Sequence, residues 1–186
     1  MRNALTLAAF IALAPAALAK PWNGIDPGTS KKDEVIKKFG DPSKVVKSDK
    51  DAKETLAYLG EKAIKGTTQA QFKVDAQSGT VERIDVFPGP VIDKDMVESS
   101  YGAACPSAPP MPKDPCYVKK ITDNFKAYFV YVKLGLAVFF KEDNKTVSSF
   151  VFTAMSAPRS AGPAAPAAPG GSAGSGAGAT PPASER

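Results

Sequence analysis

Apolar and polar positions along this chain follow two rhythms, one helical and one alternating. Between residues 28 and 42, Val35, Ile36 and Phe39 fall on one face of a helix. Ser30, followed three residues later by Asp33, predicts an N-cap with an acidic first turn. Gly40 suits a left-handed C-terminal position and Pro42 forbids continuation, so the helix is short and firmly bounded. Residues 44–54 are charged and predict a loop or a weak strand, and 55–59 predict a strand ending at Gly60. Residues 69–75 and 82–86 alternate with period two around the turn residues Ser78-Gly79-Thr80, which predicts a hairpin. Phe72, Val74, Ile84 and Val86 share its inner face; Gln71, Lys73, Arg83 and Asp85 share its outer face.

The pattern then restarts. Residues 93–102 echo the first helix: a shift of 62 lays Lys32 on Lys94, Asp33 on Asp95, Val35 on Val97, Phe39 on Tyr101 and Gly40 on Gly102. After a Pro-rich segment flanked by cysteines, residues 125–133, 136–140 and 147–152 predict three strands, the last two joined by the turn Glu142-Asp143-Asn144-Lys145. A shift of 66 lays Thr80-Val81 on Thr146-Val147. The order helix, strand, hairpin thus occurs twice. This predicts an α+β fold, with helices packed on one face of an antiparallel sheet, built as a tandem duplication of a helix–β-meander unit.

Both ends differ in kind from this region. Arg2, the apolar run of residues 4–18 and the small-x-small Ala17-Leu18-Ala19 predict a signal peptide over residues 1–19, cleaved after Ala19. The run is short for a membrane span, which needs about 20 residues; an uncleaved anchor helix is the alternative. From Ser156 to Arg186, 27 of 31 residues are Ala, Gly, Pro or Ser, too few large apolar groups to offset chain entropy, which predicts a disordered tail. The expected organisation is therefore a signal peptide at 1–19, a first repeat at 20–90, a second repeat at 91–155 containing the cysteine loop, and the tail at 156–186.

The formal net charge of +5 is carried mainly by dispersed lysines, with no arginine stripe to suggest nucleic acid. Weak contact with an anionic wall polymer or lipid surface fits this charge. The chain has no histidine, which removes the commonest general base, metal ligand and pH switch. Cys105 and Cys116, in an exported chain, predict a disulfide rather than a redox or metal pair. No cofactor or metal is expected, and no membrane span after signal cleavage.

Gly28, Thr29-Ser30, Val35, Phe39-Gly40 and Pro42, followed by a strand bearing Tyr58, resemble the SmpA/OmlA (BamE-like) small outer-membrane protein family. The resemblance covers residues 24–87, with a weaker copy over 93–152. A tandem arrangement resembles the wider group sharing this fold with secreted β-lactamase inhibitor proteins. The resemblance implies an α+β fold and a periplasmic or secreted module that acts by binding protein. The lipoproteins carry a cysteine directly after the signal peptide. Lys20 stands here, so no lipid anchor is expected, and a role in outer-membrane assembly is placed in doubt.

The candidate site lies on the outer sheet face of the second half. With Tyr128, Val130 and Val132 inside, the alternation turns Phe129, Tyr131 and Lys133 outward. They would join Phe139, Val151 and Lys141 in an apolar patch rimmed by lysines. The alternative is that this face is buried by the other half, by the Pro-rich loop or by a second subunit. Lys31, Lys32, Lys37 and Lys38 read as a solvated helix face, Trp22 as an anchor for the chain start, and Asn144-Lys145-Thr146 as a turn that also matches a glycosylation sequon. No carboxylate pair stands out as catalytic. The expected function is a non-catalytic exported envelope protein that binds another envelope or secreted protein. The alternatives are an inhibitor of a hydrolase and a cell-wall-associated spacer.

Overall fold

The structure, a computed structural model, describes residues 20–48, 50–110 and 112–154. The signal peptide and tail readings lie outside them. A first helix, α1 (Lys32–Phe39), precedes strands β1 (Lys44–Ser48), β2 (Lys53–Leu59), β3 (Thr67–Asp75) and β4 (Val81–Pro88). A second, α2 (Lys94–Tyr101), precedes β5 (Val118–Ile121), β6 (Ala127–Tyr131), β7 (Leu136–Phe140) and β8 (Val147–Thr153). All eight strands join one antiparallel sheet in the order β1-β2-β3-β4-β8-β7-β6-β5.

This corrects the expected α+β architecture of helix-layered repeats. Strand accounts for 44% of the structure and helix for 17%, so the sheet is the fold. The physical reason lies in helix length. Each helix has eight residues and buries one side chain fully, Val35 in α1 and Val97 in α2. One buried residue per helix cannot form a layer. The inner sheet face is covered instead by both helices together with the chain start, where Ile25 is buried and Trp22 packs on Phe39 and Phe72 at 6.0 and 5.9 Å. Tyr117 adds to this cover, stacked on Phe129 at 3.6 Å between ring centres.

Several local expectations need adjustment. The residue before α1 is Lys31, not Ser30; Ser30 is buried, and its hydroxyl accepts from the Asp26 amide. Glu34 turns back to accept from the Lys31 amide. Residues 44–48 form a true edge strand, and β5 forms the opposite edge from a segment to which the sequence pattern assigned no element. Lysines on both edges, Lys44 and Lys47 on β1 and Lys119 and Lys120 on β5, discourage pairing with another sheet.

Within the single sheet, equivalent hydrogen bonds recur. Lys32 N donates to Gly79 O, and Lys94 N donates to Lys145 O, so each helix starts against the turn of its own hairpin. Val81 N donates to Ser30 O and Val147 N to Ile92 O, both at 2.8 Å. The halves differ most between helix and first strand. Residues 40–43 make that connection in the first half and 102–117 in the second, the extra chain being closed by a disulfide between Cys105 and Cys116. Gly102 has φ +105°, and a Cβ there would sit 2.0 Å from the Pro115 carbonyl oxygen, so the closed loop rests on bare backbone.

Candidate functional site: the outer face of the sheet

Strand register decides what each face presents. Leu56, Phe72, Ile84, Phe152 and Leu136 are successive partners across the sheet and all are buried, which fixes the inner face. Tyr131 pairs with Leu136 and Phe129 with Val138, so both belong to that inner face, at 0% and 3% exposure. The sequence expectation therefore had the parity of β6 reversed. Phe129 and Tyr131 are core residues, and Tyr128 and Val130 face outward.

The reason is chemical as well as geometric. The Tyr131 hydroxyl donates to Gly102 O at 2.8 Å at the end of α2, and Tyr117 lies across both Tyr131 and Phe129. The Tyr117 hydroxyl donates to Glu98 at 2.6 Å. Burial, and then this bond, push the Tyr117 phenol up to about 12, and burial raises Tyr131 further still. Glu98 is lowered by the same bond from Tyr117. This aromatic cluster is a support for the sheet, not a surface. In the structure Tyr131 is the counterpart of Tyr58, which also donates to its helix-ending glycine, Gly40; the repeat shifts of 62 and 66 do not align the two.

On the outer face, Gln71, Asp85, Val151, Ala137, Val130 and Val118 form one row from β3 to β5. A second row contains Ser149, Phe139, Tyr128 and Lys120. Phe139 and Tyr128 stack in parallel, 4.9 Å apart at 8°, and both are half-buried. Phe139 and Val151 thus lie on the face expected for them, but Val151 is buried, at 6% exposure, so of the two only Phe139 contributes to an open patch. Val130, Val132, Ala137, Val151 and Ala154 help line a hollow of about 330 Å³ at the end of this apolar area.

The first half of the same face is charged. The Asp85 carboxylate is buried and accepts from Arg83 Nε at 2.7 Å, with Lys73 Nζ at 3.6 Å. Asp85 and Val151 are register partners, so the charged and apolar halves meet where β4 pairs with β8. Lys141 is exposed beside Phe139 and Phe140. Lys133 is not on the patch rim; its ammonium donates to the carbonyls of Pro112 and Lys113 at 2.7 and 3.0 Å and holds the disulfide loop.

The remaining candidates have structural partners. Lys31 donates to Thr80 and Ser78, Lys32 pairs with Glu54, and Lys37 and Lys38 are exposed. Asn144 lies in the β7–β8 turn with φ +54°. Asp143 organises that turn by accepting from Thr146 and Lys145, which lowers its carboxyl to about 2. Among the described residues, no three His, Cys, Asp or Glu side chains gather as a metal-ligand set, and no helix is long and apolar enough to cross a membrane.

No protein-family model matches the chain, and no curated protein matches it. The chain is similar to a solved structure described as a DUF4309 family protein (YjgB) from Bacillus subtilis, with 18% sequence identity, 70% of this chain and 82% of that chain covered, and a TM-score of 0.45.

Proposed function

We propose that this chain is a non-catalytic exported envelope protein that binds another protein through the outer face of its sheet. One observation carries the reading. Both helices pack on the inner face, and the opposite face is divided into a charged half around Asp85 and an apolar half around the Tyr128–Phe139 stack. A contiguous apolar area beside fixed charges favours a protein partner, since the apolar part supplies affinity and the charges supply orientation. The disulfide and the signal-like residues 1–19 support an oxidising compartment outside the cytoplasm. The resemblance of residues 24–87 to the SmpA/OmlA family points to the same class of role.

The test uses the mature chain, residues 20–186, carrying Tyr128→Ser and Phe139→Ser together. Both residues are half-buried on the outer face, so the fold should survive their replacement. The expected result is a loss of partner affinity of about tenfold or more with a near-native thermal midpoint. Undiminished capture by the folded variant removes the reading. Should the captured partner be a secreted hydrolase that loses activity on binding, the role is inhibition through this same face.

A further inference from the structure

The apolar half of the outer face has a ligand candidate in the chain itself. Residues 163–169 read Pro-Ala-Ala-Pro-Ala-Ala-Pro. A polyproline II helix has three residues per turn, so in that conformation Pro163, Pro166 and Pro169 stand on one edge. Such segments dock on surfaces lined by aromatic rings, and their stiffness limits the entropy lost on docking. The Tyr128–Phe139 stack, with the half-buried Val130 and Ala137 beside it, is a surface of that chemistry.

Three further observations favour this occupant. First, the described chain ends at Ala154, which lines the hollow bounded by Val130, Ala137 and Val151, so the segment is tethered at the rim of the patch. Second, Pro163 lies nine positions beyond Ala154. That tether reaches about 30 Å when extended, whereas Phe139 lies opposite Ser149, roughly 16 Å back along β8 from Ala154. Third, the spacings agree. Prolines on one edge recur about every 9.3 Å, and alternate strands are about 9.6 Å apart. Two successive prolines crossing the strands therefore span from β8 to β6, over the Tyr128–Phe139 stack and with Val130 beside it. The third proline offers a second register. The only charge between Ala154 and Pro169 is Arg159, so docking the segment desolvates little.

We propose that residues 163–169 occupy the apolar half of the outer face in cis, as a polyproline II ligand that an incoming partner must displace. The proposal rests on the reading of this face as a binding surface. It adds a class of ligand, a Pro-x-x-Pro-x-x-Pro strand, and a form of self-competition. A short flexible tether gives an effective concentration in the millimolar range, so even a contact of millimolar affinity is about half filled.

The experiment compares the mature chain with its Pro163→Gly, Pro166→Gly, Pro169→Gly variant by NMR, following the methyl groups of Val130, Ala137 and Val151 and the rings of Tyr128 and Phe139. These substitutions lie beyond β8, the last of the described strands. The expected result is that these resonances shift between the two proteins while those of Leu56 and Ile84, on the inner face, do not. The shifts should be independent of dilution. A synthetic peptide of residues 156–172, added at millimolar concentration to the variant, should move the resonances toward their native positions. Identical spectra for the two proteins overturn the proposal. Shifts that vanish on dilution overturn it as well, because the contact is then between copies. Partner capture separates this inference from the reading beneath it. Capture lost with Tyr128→Ser and Phe139→Ser but unchanged by the proline substitutions leaves a binding face without self-competition. Proline-dependent shifts with undiminished capture by the double serine variant leave a docked tail on a face the partner does not use.

Discussion

Tyr58 and Tyr131 make the same bond in the two halves of the sheet. Each donates its phenolic hydroxyl to the carbonyl of the glycine that ends the preceding helix, Tyr58 to Gly40 and Tyr131 to Gly102, both at 2.8 Å. Both tyrosines are fully buried. Each ring therefore fills the core while its hydroxyl satisfies a carbonyl at a helix end. Replacing either by Phe keeps the ring and leaves the carbonyl without its donor, at an expected cost of about 1–2 kcal/mol. Replacing either by Ala opens a cavity as well and should cost about 3–5 kcal/mol. Urea titrations of the four variants measure both steps, and similar losses in the two halves are expected.

Neighbouring residues on β6 should respond in opposite ways. Phe129 is enclosed by Tyr117 and Phe140, while Val130 is half-buried on the outer face. Phe129→Ala should cost about 3–5 kcal/mol. Val130→Ser should cost no more than about 1 kcal/mol. Equal losses would show that the strand faces are not as described.

This strand also marks where the sequence stops being legible. The first hairpin could be read because Phe72 and Val74 alternate with Gln71 and Lys73, so polarity labels its faces. In β6, Tyr128, Phe129, Val130 and Tyr131 are all apolar or aromatic, because one face is core and the other is the proposed binding surface. Periodicity carries no parity there. The position of Phe139 and Val151 was legible because Ser149 and Lys141 mark the outer side of their strands. The single sheet was illegible for a different reason. The pairing of β4 with β8 joins segments more than 60 residues apart, and no local pattern encodes that choice. Strand β5 was hidden by its composition, since Val118-Lys119-Lys120-Ile121 is an exposed edge with no buried face to leave a pattern.

Stability should depend on pH only toward the extremes. Tyr117 and Tyr131 are raised above the ordinary phenol value, chiefly by burial. A raised group contributes stability that is complete below its unfolded value, near 10, and is lost as pH climbs through the folded value, about 12 for Tyr117. Glu98 is lowered, chiefly by the bond from Tyr117, so its contribution is complete above its unfolded value near 4.5 and falls away in acid. The chain has no histidine to titrate between these limits. The thermal midpoint should therefore be nearly level from about pH 6 to pH 9 and fall on both sides. Tyr117→Phe should weaken the acid limb by releasing Glu98 from its donor. A midpoint that changes steeply near pH 7 contradicts this account.

The disulfide should matter to the core as well as to its own loop. Tyr117 follows Cys116 directly, and its amide and carbonyl bond Ala103 and Cys105 across the closed end of the loop. Opening the loop by Cys105→Ser with Cys116→Ser removes a constraint on the unfolded chain worth about 3 kcal/mol. It also loosens the tether of the ring that covers Phe129. Denaturant titrations should show that loss. Near-ultraviolet circular dichroism should show a weakened tyrosine signal, while far-ultraviolet strand content is retained. An unchanged near-ultraviolet spectrum would mean that Tyr117 is held by its stacking and by Glu98 alone.

The boundary between the charged and apolar halves of the outer face gives the last prediction. Asp85 is buried, but Arg83 and Lys73 are about 40% exposed and remain hydrated without it. Removing a buried ionic partner is severe when it strands another buried charge, and here it strands none. Asp85→Val should therefore change stability by no more than about 1 kcal/mol, because the lost ion pairs are surface-like and the new side chain adjoins Val151. Its effect on binding should be larger. Apolar surface would extend across the seam while Arg83 and Lys73 lose the carboxylate that fixes their positions. A partner oriented by those charges should bind more weakly and with an altered salt dependence. Measuring the thermal midpoint and the salt dependence of capture on the same protein separates the two effects. A large fall in the midpoint would show that Asp85 holds the sheet together, and unchanged capture at all salt concentrations would show that the partner touches only the apolar half.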